Sequence, residues 1–424
     1  MNRRSFALAA ASLAGTAWFG HAPAVLGAAR PQVVVVGGGF GGATVARYLR
    51  LWDPGIDVTL IERQARFVSC PMSNLVLSGD RSLEQNTFGY QGLEKAGVTR
   101  IEAEVEAIEH DRREVVLTDG RRVPYDRLVL SPGIDFLWNS IAGLDETTSH
   151  EQIPHAWKAG PQTLLLRRQL EALQDGGAYL LSIPRTPYRC PPGPYERVSL
   201  IASYFKREKP RSKVIVLDAN PEIVSKKGLF LKAWSELYPG IVDYHANSTV
   251  TEVDAAGRTV NTEFDTVKAD VLNVIVPHAA GRIAHQAGVV TLDKRWVGVD
   301  FQTYESTAVP GIHVVGDATS ASPAPKSAHT ANNQAKIAAS AIIAALRGQA
   351  PTAVPVSANT CYSFVSPTEA VHVAAVYRYD SARKALVTAE GTSGVSDKRN
   401  EAEARIALAW ADNIWKDSFN LDPA

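Results

Sequence analysis

The chain has 424 residues, enough for roughly three domain-sized units with buried cores. Its 44 Lys plus Arg balance 44 Asp plus Glu for a formal net charge of +0, so no global field gathers nucleic acid or an anionic membrane. With 45% hydrophobic and 21% charged residues it is neither disordered nor collagen-like, and three cysteines are too few, and odd in number, for a disulfide framework.

The N-terminus, Met1-Asn2-Arg3-Arg4-Ser5-Phe6, sets two arginines before a short alanine-rich run and small residues ending at Gly27-Ala28-Ala29. This is the pattern of a twin-arginine signal peptide over residues 1–28, which implies export of a folded, cofactor-loaded protein to the periplasm. Gly15, Thr16 and Gly20 break the run, whereas a spanning helix needs ~20 apolar residues, so no membrane anchor is expected.

Gln32-Val33-Val34-Val35-Val36 reads as a strand buried on both faces of a parallel sheet. It runs into Gly37-Gly38-Gly39-Phe40-Gly41-Gly42, which carries G-x-G-x-x-G at Gly37, Gly39 and Gly42 and opens a helix over 43–51. Such glycines allow a tight turn, close backbone approach to a pyrophosphate at the positive helix end, and close helix packing. A second strand over 57–61 ends in Glu62, 20 residues beyond Gly42, the spacing expected of an acid on ribose hydroxyls. Cys70 follows in Phe67-Val68-Ser69-Cys70-Pro71-Met72 with no neighbouring cysteine, and reads plainly as a buried free thiol.

Leu128-Val129-Leu130-Ser131-Pro132-Gly133 resembles the strand that returns the chain to the FAD domain in flavoproteins with two dinucleotide domains. Ala178–Ile183 and Lys213–Asp218 leave room for one crossover helix and suggest a second βαβ unit. The turn after its first strand, Pro184 to Glu196, puts proline and bulky side chains where a nicotinamide cofactor needs glycines, which argues against an NAD(P)H site. Cys190 lies in this turn beside Arg189, and Glu196 is either a nearby base or a surface carboxylate. Downstream, Pro310-Gly311-Ile312-His313-Val314-Val315-Gly316-Asp317 is similar to the second flavin-binding motif of those flavoproteins, whose aspartate binds the ribityl chain. It favours FAD over NAD, with His313 structural and a helix over 332–346 whose amino end would face the flavin.

Cys361, in Asn359-Thr360-Cys361-Tyr362, stands 171 residues from Cys190. Spacing alone does not pair them, so a structural disulfide and a redox pair both stay open. Residues 349–355 read as a boundary loop, 371–377 and 385–388 as a small antiparallel sheet, and 400–419 as a helix with Ile406, Trp410 and Ile414 on its packing side. That helix carries only Arg405 and Lys416 as basic residues, a poor composition for lying on a membrane. The expected fold class is α/β. Two Rossmann-like domains of glutathione-reductase type are followed by a C-terminal α+β interface domain. The FAD domain would cover 30–150 and 278–350, the second nucleotide-like domain 151–277 and the interface domain 351–424. No metal site is expected.

The leader, the flavin motifs, Ser69-Cys70-Pro71, Arg189-Cys190-Pro191-Pro192-Gly193-Pro194-Tyr195-Glu196 and Asn359-Thr360-Cys361-Tyr362 together resemble the flavoprotein subunits of flavocytochrome c sulfide dehydrogenases. The resemblance covers essentially the whole mature chain and is most specific at the three cysteines. It implies FAD held by an 8α-cysteinyl thioether to Cys70, a redox disulfide between Cys190 and Cys361, oxidation of sulfide to sulfane sulfur or polysulfide, and electron transfer to a cytochrome c subunit. The chain has no Cys-x-x-Cys-His, so it cannot attach its own c-type haem. The alternatives are a sulfide:quinone oxidoreductase, a nicotinamide-dependent reductase, or a non-catalytic flavin relay whose disulfide is only structural.

Overall fold

Val33, Val34, Val35 and Val36 are all buried, because their strand is central to a sheet covered on both faces. The computed structural model describes residues 29–421; the expected leader lies outside them. Strand Gln32–Val36 lies between Arg127–Leu130 and Asp57–Ile61, with Ile312–Val314 and Val98–Ile101 at the edges, all parallel. The helix after the glycine turn runs Phe40–Trp52, three residues earlier than the apolar spacing suggests, because Gly39 itself serves as the N-cap in extended backbone. It packs against a long helix, Ala328–Leu346.

A second parallel sheet follows the order Val242–His245, Lys213–Asp218, Ala178–Ile183, Val271–Val274. The crossover helix between its first two strands in sequence is Gly193–Glu208, with proline in its first turn, where a missing N–H costs nothing. The chain leaves the first sheet through strand Ile134–Phe136 and returns through His278–Ala280, and these two strands pair antiparallel. The junction between the sheets is therefore itself a ladder.

The C-terminal segment forms an antiparallel sheet of Val356–Phe364, Ala370–Asp380 and Ala385–Thr388, with Gly394–Val395 paired to the middle strand. It ends in the helix Glu401–Phe419. The expected packing face needs correction. Ile406 is 50% exposed, and the buried stripe is Ala404, Ala407, Ala411, Ile414, Trp415, Ser418 and Phe419. Small residues let the helix axis approach its neighbours closely, so the alanine row wins over the bulkier one. Ala407 and Ala411 join the core beneath the first sheet, whereas Val365 and Val371 join the core of the second, so this segment is tied to both.

Candidate active site

The glycine turn is built by backbone crowding. Gly37 has φ +97°, and a Cβ on Gly42 would stand 1.8 Å from the Gly37 carbonyl oxygen, so neither position admits a side chain. A Cβ on Gly39 would meet nothing within 4 Å, so that side of the turn is open to a ligand. The helix that follows has no side-chain cap, which leaves its first amides for an anion. Glu62 accepts hydrogen bonds from the Gly38 amide at 2.7 Å and the Gln64 amide at 2.8 Å, which fixes its carboxylate at the strand end beside the turn.

Just past the edge strand Ile312–Val314, Gly316 donates to the Gln334 side chain at 2.7 Å, and one carboxylate oxygen of Asp317 is buried without any partner. Burial raises the Asp317 carboxyl above its ordinary range, against the pull of Arg189 and Lys326. Lys326 donates to the Asp317 carbonyl at 2.9 Å and lies 3.6 Å from the centre of the Trp296 ring. His313 is buried and hydrogen-bonded to the Thr303 carbonyl at 2.9 Å, the structural role expected of it.

The corresponding place in the second unit is filled by protein. Asp218, at its strand end, is wholly buried and accepts from Tyr195 at 2.8 Å, Tyr244 at 2.9 Å and the Asn220 amide at 2.9 Å. The proline turn is closed by Tyr188, which donates to the Pro191 carbonyl at 3.1 Å. An acid with its acceptor sites taken and a turn plugged by a tyrosine are unsuited to hold a second dinucleotide.

All three cysteines are free thiols in this structure. Cys70 sits between Ser69 and the short helix Ser73–Ser78, and its sulfur accepts from the Ala159 amide at 3.5 Å. It is half-buried rather than enclosed. Cys190 occupies a left-handed conformation, φ +57°, and donates its amide to the Lys326 carbonyl at 2.8 Å. The Arg189 guanidinium, one nitrogen of which is buried without a hydrogen-bond partner, feels the charge of Cys70, Asp317 and Cys190, so three of the residues singled out from sequence surround one cation. Burial, then negative charge on Cys361 and Glu196, pushes the Cys190 thiol up. Burial also raises Cys361, but the Lys226 ammonium and the Asn359 amide oppose it.

Glu196 is not a free surface carboxylate. It accepts from the Phe364 amide at 2.8 Å, on the strand that carries Cys361, and from the Asn74 side chain at 2.7 Å, and burial raises its carboxyl. Arg197, 2% exposed, donates to Asn74 at 3.0 Å and to the His155 and Ala156 carbonyls, which ties the Cys70 turn to the Glu196 helix. Sequence reasoning missed Lys226, Asn74, Asn359, Arg197 and His278. Each is a single polar residue with no partner at a telling spacing; only the burial of polar side chains in the folded chain reveals them.

Three family profiles match the chain: the sulfide dehydrogenase (flavocytochrome c) flavoprotein chain, central, over residues 163–277; the flavocytochrome c sulphide dehydrogenase, flavin-binding, over 353–419; and the pyridine nucleotide-disulphide oxidoreductase over 31–159. The sulfide dehydrogenase (flavocytochrome c) flavoprotein chain of Chlorobaculum thiosulfatiphilum is 64% identical over 45 residues, which is 11% of this chain and 94% of that one. The chain belongs to this flavoprotein family. It is also 24% identical over 320 residues to the mitochondrial sulfide:quinone oxidoreductase of Dictyostelium discoideum, covering 72% of this chain and 69% of the relative. Among solved structures, the sulfide:quinone oxidoreductase of Aquifex aeolicus superimposes with a TM-score of 0.73 at 19% identity over 92% of this chain and 91% of the other. A putidaredoxin reductase in covalent complex with putidaredoxin gives a TM-score of 0.65 at 18% identity over 91% and 93%. These two show the shared fold.

The matched regions divide the site among themselves: 31–159 holds Gly37, Gly39, Gly42, Glu62 and Cys70, 163–277 holds Cys190 and Glu196, and 353–419 holds Cys361. The family is FAD-dependent, and the residues present fit that cofactor. The open face at Gly39 and the uncapped helix start would suit a pyrophosphate, the fixed carboxylate of Glu62 a ribose, and the unpartnered oxygen of Asp317 a ribityl hydroxyl. Among the described residues, no helix is long and apolar enough to cross a membrane.

Proposed function

We propose that the chain oxidises sulfide to sulfane sulfur, using Cys190 and Cys361 as a redox pair and FAD as electron carrier, and passes the electrons to a c-type cytochrome subunit. The observation that carries this reading is the meeting of residues remote in sequence. Cys190, Cys361, Glu196 and Lys226 form one buried cluster, with Glu196 accepting from the Phe364 amide and Lys226 donating to the Cys361 carbonyl, and Arg189 extends its charge toward Cys70 and Asp317.

Hydrosulfide forms a bond to one sulfur of the oxidised pair, the Cys190–Cys361 bond breaks, and its electrons leave on the other cysteine as a thiolate. The products are one persulfide and one thiolate. A second hydrosulfide, attacking the outer sulfur of the persulfide, carries it away as hydrodisulfide and frees the first cysteine. Glu196, raised by burial, is suited to hold the proton released beside the pair. FAD, when bound, takes the two electrons given up as the disulfide re-forms and yields them singly to a haem. Arg189 holds positive charge against Cys190 while these steps proceed. The twin-arginine leader supports a periplasmic site of action, and the family resemblance supports a thioether between Cys70 and the flavin.

One anaerobic experiment tests these points. Sulfide should bleach the flavin of the purified protein while NADH does not, and oxidised c-type cytochrome, rather than a short-chain quinone, should restore the colour. Cys190→Ser and Cys361→Ser should each abolish bleaching by sulfide with flavin still bound. Acid denaturation should leave flavin on the wild-type chain and release it from Cys70→Ser. Ordinary bleaching in both cysteine variants would eliminate the redox pair.

A further inference from the structure

Lys226 lies just before the helix Lys227–Leu237, in a left-handed conformation with φ +56°, and is 7% exposed. Its ammonium donates to the Cys361 carbonyl at 3.0 Å and to the Ser363 hydroxyl at 2.8 Å. Both acceptors are neutral, and no carboxylate of the described residues forms an ion pair with it. A buried ammonium without a counter-charge is costly, so a charged Lys226 is stabilised by whatever anion stands nearest. The groups facing it are Cys361, Glu196, Cys190 and, further away, Glu403, with the Phe230 ring 5.8 Å off. Glu196 is already engaged by the Phe364 amide and Asn74.

Asn359 sits two residues before Cys361 on the same face of the same strand. Its side-chain nitrogen approaches the Cys361 sulfur at 3.3 Å, while the Ser327 hydroxyl donates to its oxygen at 2.6 Å. The same oxygen lies 3.5 Å from the sulfur, where it accepts from the neutral thiol, so once the thiol proton is lost the amide N–H is the contact that holds the sulfur. Among the described residues no side-chain donor reaches the Cys190 sulfur, and Cys190 feels both Arg189 and Lys226 from further within the site.

We propose that Lys226 and Asn359 hold Cys361 as the anionic sulfur of the reduced pair, Asn359 by an amide donor to the sulfur and Lys226 as a positioning residue that places a buried positive charge against it. The inference rests on the reading of Cys190 and Cys361 as the redox pair and names which of the two carries the charge. Burial brings the Lys226 ammonium down to about 8, so the effect is strongest below that pH and fades above it.

The test uses the flavin-loaded protein, reduced with a phosphine and alkylated with iodoacetamide from about pH 5 to 9, with modification of Cys190 and Cys361 followed separately by peptide mass spectrometry. Cys361 should react as a thiolate at lower pH than Cys190. Lys226→Met should slow Cys361 about tenfold or more near pH 7 and move its midpoint upward, by more than it moves that of Cys190. Lys226→Arg should restore most of the rate. If Lys226→Met does not fold, Lys226→Gln makes the same comparison by keeping donors and removing charge. An unchanged Cys361 profile in the charge-removed variant, or Cys190 ionising first in the wild type, overturns the proposal. Sulfide bleaching of untreated, oxidised portions of the same preparations separates the two readings. A Lys226-dependent thiol with no response to sulfide removes the redox function alone, whereas normal bleaching with a Lys226-independent thiol removes this inference alone.

Discussion

A single methyl group at Gly42 is forbidden by two backbone atoms. The Cβ would lie 1.8 Å from the Gly37 carbonyl oxygen, and no side-chain rotation can relieve that overlap. Gly42→Ala must push the helix Phe40–Trp52 off the turn, at a cost of about 1–3 kcal/mol typical of overpacking. Flavin occupancy, read as the ratio of flavin to protein absorbance, should fall with thermal stability. Gly39→Ala meets nothing within 4 Å and should lower occupancy without lowering the stability of the flavin-free protein. Full occupancy in Gly42→Ala would show that the turn yields. Such positions were legible because the turn's geometry dictates residue type, and the same holds for Glu62, whose place follows from the length of one helix and one strand. Lys226 and Asn359 were not legible. Lys226 precedes Lys227, and in sequence a lysine pair reads as a solvated surface; only the fold turns one of the two inward against Cys361.

At the scale of elements, the strand Val356–Phe364 shows why half of the site stayed hidden. Its buried positions include Ser357, Asn359, Cys361 and Ser363, while Val356 is 59% exposed. The period of two is present but its polarity is inverted, because this strand walls a polar site, so an apolar count finds no strand. The C-terminal helix raised the opposite difficulty, since two stripes both fit helical spacing. Asp417 settles its orientation by accepting from Tyr48 at 2.6 Å and Asn332 at 2.7 Å, with the Lys336 ammonium at 2.8 Å, while Trp415 donates to Ser69 at 2.9 Å beside the Cys70 turn. Those contacts turn Ala407 and Ala411 inward. Ala411→Leu should therefore destabilise the protein by about 1–3 kcal/mol, whereas Ile406→Ala should stay within about 0.5 kcal/mol. Thermal midpoints measured side by side decide this, and equal losses in the two variants would reverse the assigned face.

Across the whole molecule, the paired strands Ile134–Phe136 and His278–Ala280 join the two nucleotide-type sheets, and two buried histidines sit at that joint. The Phe136 ring lies 4.0 Å from His155 and 5.4 Å from His278, centre to centre. His278 accepts from the Arg189 amide at 3.0 Å and His155 from the Trp157 amide at 2.8 Å, so each nitrogen used is an acceptor and each ring is neutral. Burial holds both well below the ordinary histidine range, reinforced by Arg189 at His278 and by Lys158 at His155. In the unfolded chain these rings take protons below about pH 6.5, while in the folded one they resist, so the unfolded state gains protons first. Stability is unaffected above that pH and falls below it, at up to about 1.4 kcal/mol per pH unit for each ring. Glu196 and Asp317 act with the opposite sign, because carboxyls raised in the folded state take up protons there as the pH drops. His278→Asn keeps an acceptor for the Arg189 amide and cannot be protonated. Its thermal midpoint should drop less than that of the wild type when the pH is lowered from about 7.5 to 5.5. Equal drops would mean that the joint does not feel the charge on His278 and that acid sensitivity arises elsewhere in the chain.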